Sequence, residues 1–357
     1  MVPISLKKKN MSTTKQNKTR YLADSQLSNV RKILVIQLGP FGDSLLSTSC
    51  LKSIKNKFPH ARLFYIVKEP FHKVILNHPF IDEIIKIKKK SGFQYCIERV
   101  KTYFKIWKLH FDLVIDFQNK PSSQQLTLFS GANYRIGYRH GRFHQVYNFK
   151  ATEKEGRYSA SMKFDILEPL NIKEEPYKLF FHIGEKARNY IANWLSINNY
   201  NPSKVVCISP GSPVPRKQWS LVNFARLADM IQTRTDLNVV LLWGPRELDQ
   251  VNQVKKEMKT GPVLAPPTDL NQAAALLELC KLLVCNDCGL NHLSVTTMTP
   301  TLAIFGTTSP TAWSPGPEFN HFHLYRPDFD SKKDNSFGIS PEDAFNEIKK
   351  ILDLNLR

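Results

Sequence analysis

Ile33-Leu34-Val35-Ile36-Gln37-Leu38-Gly39-Pro40-Phe41-Gly42-Asp43-Ser44 is an apolar run that breaks into a polar turn with two glycines. Four consecutive branched aliphatic residues read as a buried strand. Residues 44–58 follow, with Leu45, Leu46, Leu51 and Ile54 at helical spacing until Pro59 stops them. Strand, glycine turn and helix form the repeating unit of a parallel α/β sheet. Such a turn aims backbone N–H groups and the positive end of a helix dipole at one point, which suits an anionic ligand. The same order recurs in Leu282-Leu283-Val284-Cys285-Asn286-Asp287-Cys288-Gly289-Leu290-Asn291-His292. Two such turns predict two α/β domains facing a shared cleft, with a substrate on each side.

Outward from these turns the chain keeps the same rhythm. The first half predicts strands at 32–37, 62–67, 81–87 and 113–117, a short helix at 71–76 and a long one at 94–110. The long helix sets Ile97, Val100, Phe104 and Trp107 on one face and lysines on the other. That spacing predicts a core helix with a solvated basic face. Proline, asparagine and charges at 170–176 mark a boundary. The second half predicts strands at 205–209, 238–243, 282–285 and 301–305. Its helices are expected at 185–197, 221–233, 247–258, 271–280 and 290–297, with a terminal one at 341–352. The expected organisation is a basic disordered tail over 1–29, an N-terminal domain over 30–175, a C-terminal domain over 176–330 and a terminal helix within 340–357.

At 357 residues the chain can fill two cores. Its 42% hydrophobic and 23% charged residues fit a soluble globular protein, and no apolar run approaches the roughly 20 residues that span a bilayer. The basic N-terminus lacks the apolar stretch and cleavage site of a secretory signal. A net charge of +19 calls for an anionic partner (membrane, glycolipid, nucleic acid or nucleotide) or else reflects well-solvated lysines. Part of the excess is local: Lys86, Lys88, Lys89, Lys90, Arg99, Lys101, Lys105 and Lys108 are opposed only by Glu98. Cys285-x-x-Cys288, with Cys280 before and His292 after, has the spelling of a metal cluster. The second ligand pair that such zinc sites use is missing, so no metal is expected and the cysteines read as small buried side chains.

Four loops carry candidate chemistry. Gly39 and Gly42 let another molecule approach the backbone of the first turn closely. Asp43, at the mouth of a helix, reads either as its cap or as a general base in the crevice at the strand's carboxyl end. Ser212, Arg216 and Lys217 lie on the proline-rich loop after the 205–209 strand, where fixed cations suit phosphate and the alternative is a solvated basic turn. Trp219 reads as core. In Trp243-Gly244-Pro245-Arg246-Glu247, Gly244 admits a flat base and Glu247 accepts from a ribose hydroxyl, unless this is an ordinary capped turn. The N–H groups of Gly289, Leu290 and Asn291 open a helix and suit a diphosphate. Asp287 positions that loop or touches ligand, and His292 is either a ligand contact or a satisfied structural histidine.

With these residues in place the chain resembles the glycosyltransferase family 9 heptosyltransferases of bacterial lipopolysaccharide core synthesis. The carrying stretches are Ile33 to Ser44 with Gly42-Asp43, and Phe111-Asp112-Leu113-Val114-Ile115-Asp116-Phe117-Gln118. Pro210-Gly211-Ser212, Lys217-Gln218-Trp219 and Asp287-Cys288-Gly289-Leu290-Asn291-His292 complete them. The resemblance covers nearly the whole chain after Val30. It implies an α/β protein of the GT-B fold, two Rossmann-like domains facing a central cleft, with the terminal helix packed back on the first domain. It implies a nucleotide-sugar donor, usually ADP-heptose, on the second domain, and an anionic glycolipid acceptor on the first. Asp43 would be the base, Lys217 would contact donor phosphate or ribose, and Asp287, Gly289 and His292 would shape the diphosphate site. Cys288 stands where the family usually has Thr or Ser. Transfer would invert the anomeric centre without metal or cofactor. The enzyme would work in the cytoplasm, peripherally on the inner membrane.

Two other readings compete. One keeps the fold but changes the nucleotide sugar or makes the acceptor a protein hydroxyl. The other, a nucleic-acid-binding protein, rests on charge alone and lacks a recognisable motif. An NAD-dependent oxidoreductase is disfavoured because neither first strand is followed by Gly-x-Gly-x-x-Gly.

Overall fold

The apolar run that opens the reading is strand β1 (Lys32–Ile36), and it lies in the middle of a sheet. This computed structural model describes residues 19–353 except 262, 331 and 332. The first sheet holds β1, β2 (Arg62–Lys68), β3 (Glu83–Ile87), β4 (Leu113–Asp116), β5 (Tyr134–Tyr138) and β6 (Phe149–Ala151) in the order β3-β2-β1-β4-β5-β6. The second holds β7 (Val205–Ser209), β8 (Asn238–Leu241), β9 (Val263–Leu264), β10 (Leu282–Asn286), β11 (Thr301–Ile304) and β12 (His321–Leu324) in the order β12-β11-β10-β7-β8-β9. Both sheets are parallel throughout. Read from β9, the second repeats the order of the first. Each therefore reverses direction once, between β1 and β4 and between β7 and β10. Ligand crevices of doubly wound sheets open at these reversals, beyond the carboxyl ends of the strands. The central strands are buried on both faces, which is why they read as unbroken apolar runs rather than alternating ones.

One apolar cluster runs through both sheets. Ile33 and Ile115 of the first and Leu283 and Cys285 of the second belong to it, with Leu179, Phe181 and Ile183 of the segment between the domains. The two sheets thus share a buried seam.

Four expectations need correction. The expected tail over 1–29 falls on 1–18, outside the described residues, and on a segment that is docked. Leu22 and Leu27 are buried, and the Leu22 N–H donates to the Pro169 carbonyl at 2.9 Å. The single helix expected at 44–58 is broken into Phe41–Leu46, a 3-10 turn Ser47–Cys50 and Leu51–Lys57. Ser47 and Thr48 hydroxyls donate to carbonyls three residues back, at 2.8 and 2.7 Å, and compete with the helical ladder.

The terminal helix Pro341–Leu352 packs on the second sheet's helix Leu221–Arg234, not on the first domain. Its apolar face (Phe345, Ile348) joins Trp219 and Phe224 in one core, and Glu342 pairs with Arg234 at 3.0 Å. The helix Gly92–Leu109 is also turned differently from its expectation. It buries Thr102 and Ile106 and leaves Ile97, Val100, Phe104 and Trp107 exposed.

Candidate active site

The first candidate loop leaves β1 at the sheet reversal. Gly39 has φ +109, and a Cβ there would stand 2.2 Å from the Phe71 ring, so glycine is required twice over. The loop is tied to the neighbouring strand by Gln118, whose Oε1 accepts from the Leu38 N–H at 3.0 Å and from Gln37 at 2.8 Å. Pro40, not Asp43, is the N-cap of the helix Phe41–Leu46. Asp43 sits at its third position, half-buried, and its carboxylate has no hydrogen bond or ion pair among the described residues. The cap reading of Asp43 fails because the helix starts two residues earlier, at Phe41, and the unspent carboxylate remains.

The second candidate loop leaves β10 at the other reversal and is wired in full. Asp287 is buried and accepts from Lys217 Nζ at 2.5 Å and from the Thr308 hydroxyl at 2.6 Å. Next to it, Asn286 donates to the Pro210 carbonyl at 2.9 Å and accepts from the Trp219 N–H at 2.8 Å, which joins this loop to the one after β7. Trp219 itself is core, with Nε1 donating to the Ser336 carbonyl at 2.9 Å. Asp287 is thus the support of Lys217, whose ammonium keeps further donors free.

The two loops touch. A Cβ on Gly289 would lie 2.5 Å from Phe41, and one on Gly42 would lie 3.3 Å from the His292 ring. His292 is buried, and its Nδ1 pairs with the Tyr158 hydroxyl at 2.8 Å. Burial pushes its pKa from 6.5 down to about 4, so it is neutral at neutral pH. Through Tyr158 the ring bridges the two domains.

A cavity of about 380 Å³ opens where the loops meet. Trp243, Leu242, Leu270 and Ala273 make its apolar wall, with Gly244, Glu247, Cys288, Gly289 and Leu290 around it and Phe41 and Lys73 closing it from the first domain. Apolar walls with a few convergent polar groups are the usual form of a site for a flat heterocycle. Glu247 bends back over its own turn. Its Oε2 accepts from the Gly244 N–H at 2.8 Å, and its carboxylate fills the space a Cβ on Gly211 would take, 2.2 Å away. Cys288 lines the cavity half-buried, and Cys285 lies behind it, whereas Cys280 sits beside Cys207 in the core. Of the metal spelling, Cys285 and Cys288 are thus neighbours while Cys280 lies apart from them. No group of three or more metal-ligating side chains occurs among the described residues.

Two more candidates lie on the loop after β7, and Ser212 shares a second cavity with Gly244 and Glu247. The Ser212 hydroxyl is closed on its own loop, donating to the Val214 carbonyl at 3.1 Å and accepting from the Val214 N–H at 3.2 Å. Arg216 is exposed, with no side-chain partner among the described residues. Thr308, Asn286, Tyr158 and Lys73 join the site without having been singled out. Thr308 follows β11 at the carboxyl edge, a position the sheet rule could have flagged. Tyr158 lies in an irregular segment with no signal, and Lys73 lies in the 3-10 turn Phe71–Val74, within the short helix expected at 71–76 but not marked there as a site residue.

Residues 100–329 match glycosyltransferase family 9 (heptosyltransferase). The chain is 25% identical to lipopolysaccharide heptosyltransferase 2 of Escherichia coli (strain K12) over 295 residues, 78% of this chain and 84% of that one. Among solved structures, the family 9 glycosyl transferase of Veillonella parvula aligns at a TM-score of 0.79 with 24% identity, covering 90% of this chain and 97% of the other. The ADP-heptose lps heptosyltransferase II of E. coli aligns at 0.72 with 21% identity, covering 90% and 98%.

Proposed function

This chain belongs to glycosyltransferase family 9, the heptosyltransferases, and has their GT-B fold; from that premise we propose that it moves a heptose from ADP-heptose to a hydroxyl of a lipopolysaccharide core acceptor. The relatives' names supply the donor and acceptor. The observation that carries the reading is the junction of the two loops, with Phe41 against Gly289 and Gly42 against His292. It brings the helix that carries the unpartnered Asp43 carboxylate against the N-terminus of the helix that opens at Gly289.

In this reading residues 30–175 hold the acceptor and 176–330 the donor. The adenine lies against Trp243 and Leu270 in the cavity, and the ribose hydroxyls meet Glu247. The diphosphate lies on the N–H groups of Gly289 and Leu290 with Lys217 alongside, where the helix dipole favours anions. The acceptor oxygen forms a bond to the anomeric carbon as the bond from that carbon to the diphosphate breaks. Its proton passes to Asp43, ADP leaves with the bonding electrons, and the anomeric centre inverts. Asp43 supplies the acceleration of a positioned base, about 10²–10⁴-fold. Lys217 and the helix N-terminus stabilise the charge that builds on the leaving diphosphate.

The acceptor is lipid-linked, so the work is done at the cytoplasmic face of a membrane. No helix among the described residues is long and apolar enough to cross one. The test is mass spectrometry of a heptose-deficient core acceptor incubated with ADP-heptose and the protein. Addition of a single heptosyl unit is expected. An unchanged acceptor with no ADP binding by calorimetry overturns the reading, and transfer from a different nucleotide sugar moves it to the neighbouring donor class.

A further inference from the structure

The helix Gly92–Leu109 presents to solvent the face that a core helix would bury. Phe93, Ile97, Val100, Phe104 and Trp107 recur at steps of four and three residues, which places them on one stripe at 100° per residue. That stripe points away from the sheet. Phe93 is 79% exposed, Val100 65%, Phe104 54% and Trp107 53%, while Thr102 and Ile106 on the opposite side are buried. Leu128 and Phe129, also exposed, widen the patch at the end of the adjoining helix Pro121–Phe129. At about 1.5 Å per residue the stripe runs for most of a helix some 27 Å long. An apolar surface of that extent on a soluble domain marks an interaction site.

The charge around it selects the partner. Lys101, Lys105 and Lys108 line one long edge, and Lys88, Lys89 and Lys90 precede its first turn, all exposed. From 86 to 110 there are eight Lys or Arg side chains against Glu98 alone. The Lys108 ammonium lies 4.4 Å from the centre of the Phe104 ring, so the cation at the edge and the aromatic in the stripe are neighbours. We propose that this helix lies in the interface of an anionic lipid bilayer, with the aromatic stripe among the acyl chains and the lysines at the headgroups. Helices with Trp and Phe on one face and lysines beside it bind this way, and each lysine near an anionic leaflet adds attraction. Nucleic acid would instead want cations along the middle of the surface, and here the middle is uncharged. The position suits a lipid-linked acceptor. The inner face of the same helix (Tyr95, Arg99, Tyr103) meets Leu38, five residues before Asp43, across a small cavity.

Vesicle binding does not depend on which sugar is transferred. The experiment is co-sedimentation of the full chain with vesicles of equimolar phosphatidylglycerol and phosphatidylcholine, and with phosphatidylcholine alone. Quenching of Trp107 fluorescence by brominated acyl chains is read in parallel. Binding to the anionic vesicles is expected, falling about tenfold or more in F93S/F104S/W107S and in K101E/K105E/K108E. Quenching should fall in W107F while binding persists. The substituted side chains are exposed, so ADP affinity and the melting curve stay as in the parent. Should the triple variant melt early, W107S and F93S singly must weaken binding in the same direction. Four results each overturn the proposal: no binding to anionic vesicles, binding untouched by the apolar variant, a dimer in lipid-free solution that the apolar variant dissolves, or binding to duplex or single-stranded RNA in place of vesicles.

Discussion

The loop after β1 and the loop after β10 stand at equivalent reversals of two sheets with the same strand order, and each carries an aspartate where a helix begins. They use it in opposite ways. Asp287 is buried and spent, holding Lys217 and Thr308 at 2.5 and 2.6 Å. Asp43 is half-buried and has no partner among the described residues. Burying a charge is tolerated when ion pair and hydrogen bonds offset the lost water, and such a carboxylate sets geometry. One left without a partner is free to meet a ligand. The same local grammar therefore yields a carboxylate spent on its neighbours in one loop and an unpartnered one, the proposed base, in the other.

The largest expected effect breaks or keeps the reactive side. Asp43→Asn should lower kcat by about 10²–10⁴-fold. It should leave ADP affinity intact and change stability by no more than about 0.5 kcal/mol, because no contact is lost. Turnover assays, calorimetry and a melting curve together decide it. Normal turnover removes the base, and a large loss of stability would show a hidden structural role.

Asp287→Asn tests the supporting side and should behave as its mirror image. It leaves the Lys217 ammonium, 20% exposed, without its counter-charge. Breaking a fully buried pair costs about 3–5 kcal/mol, so a partly exposed one should cost about 2–3 kcal/mol in urea denaturation. ADP affinity should fall about tenfold as Lys217 loses its position. Unchanged stability with abolished turnover would exchange the roles of the two aspartates.

The difference between the loops was only half legible in the sequence. Strand runs and glycine turns are local signals, so both loops, both sheets and the cleft between them could be read from residues 33–44 and 282–292. The spending of a carboxylate is a tertiary fact. Lys217 and Thr308 come from loops after other strands, 70 and 21 residues away from Asp287. Nothing near Asp287 announces them. The same holds for His292, whose partner Tyr158 lies 134 residues earlier. Periodicity also reported that residues 94–110 have an apolar face without reporting where that face points. For the terminal helix it was the resemblance that named the first domain, and the packing chose the second. In both helices the stripe is real, and its partner is chosen by the packing of other elements.

The smallest expected effect falls on the junction where the two loops meet. His292 is buried there as a neutral ring, with the Asp287 carboxylate favouring its charged form and Lys217 opposing it. Its folded pKa of about 4 lies below the ordinary 6.5, so between these values the unfolded chain binds a proton that the folded one refuses. Stability from this group is complete above 6.5 and is lost as pH falls toward 4. Linkage gives a loss of about 1 kcal/mol between pH 7 and 5.5. Burial also pushes the pKa of His78 down to about 4 and that of His321 to about 3, with the same sign, so the parent's slope alone does not isolate His292. His292→Gln keeps a polar partner for Tyr158 but does not titrate. It should be less stable at pH 7 and lose about 1 kcal/mol less than the parent on going to pH 5.5, measured by urea denaturation at both pH values. Parallel slopes would mean that the junction admits water, and the two loops would then be neighbours across a gap rather than one dry contact.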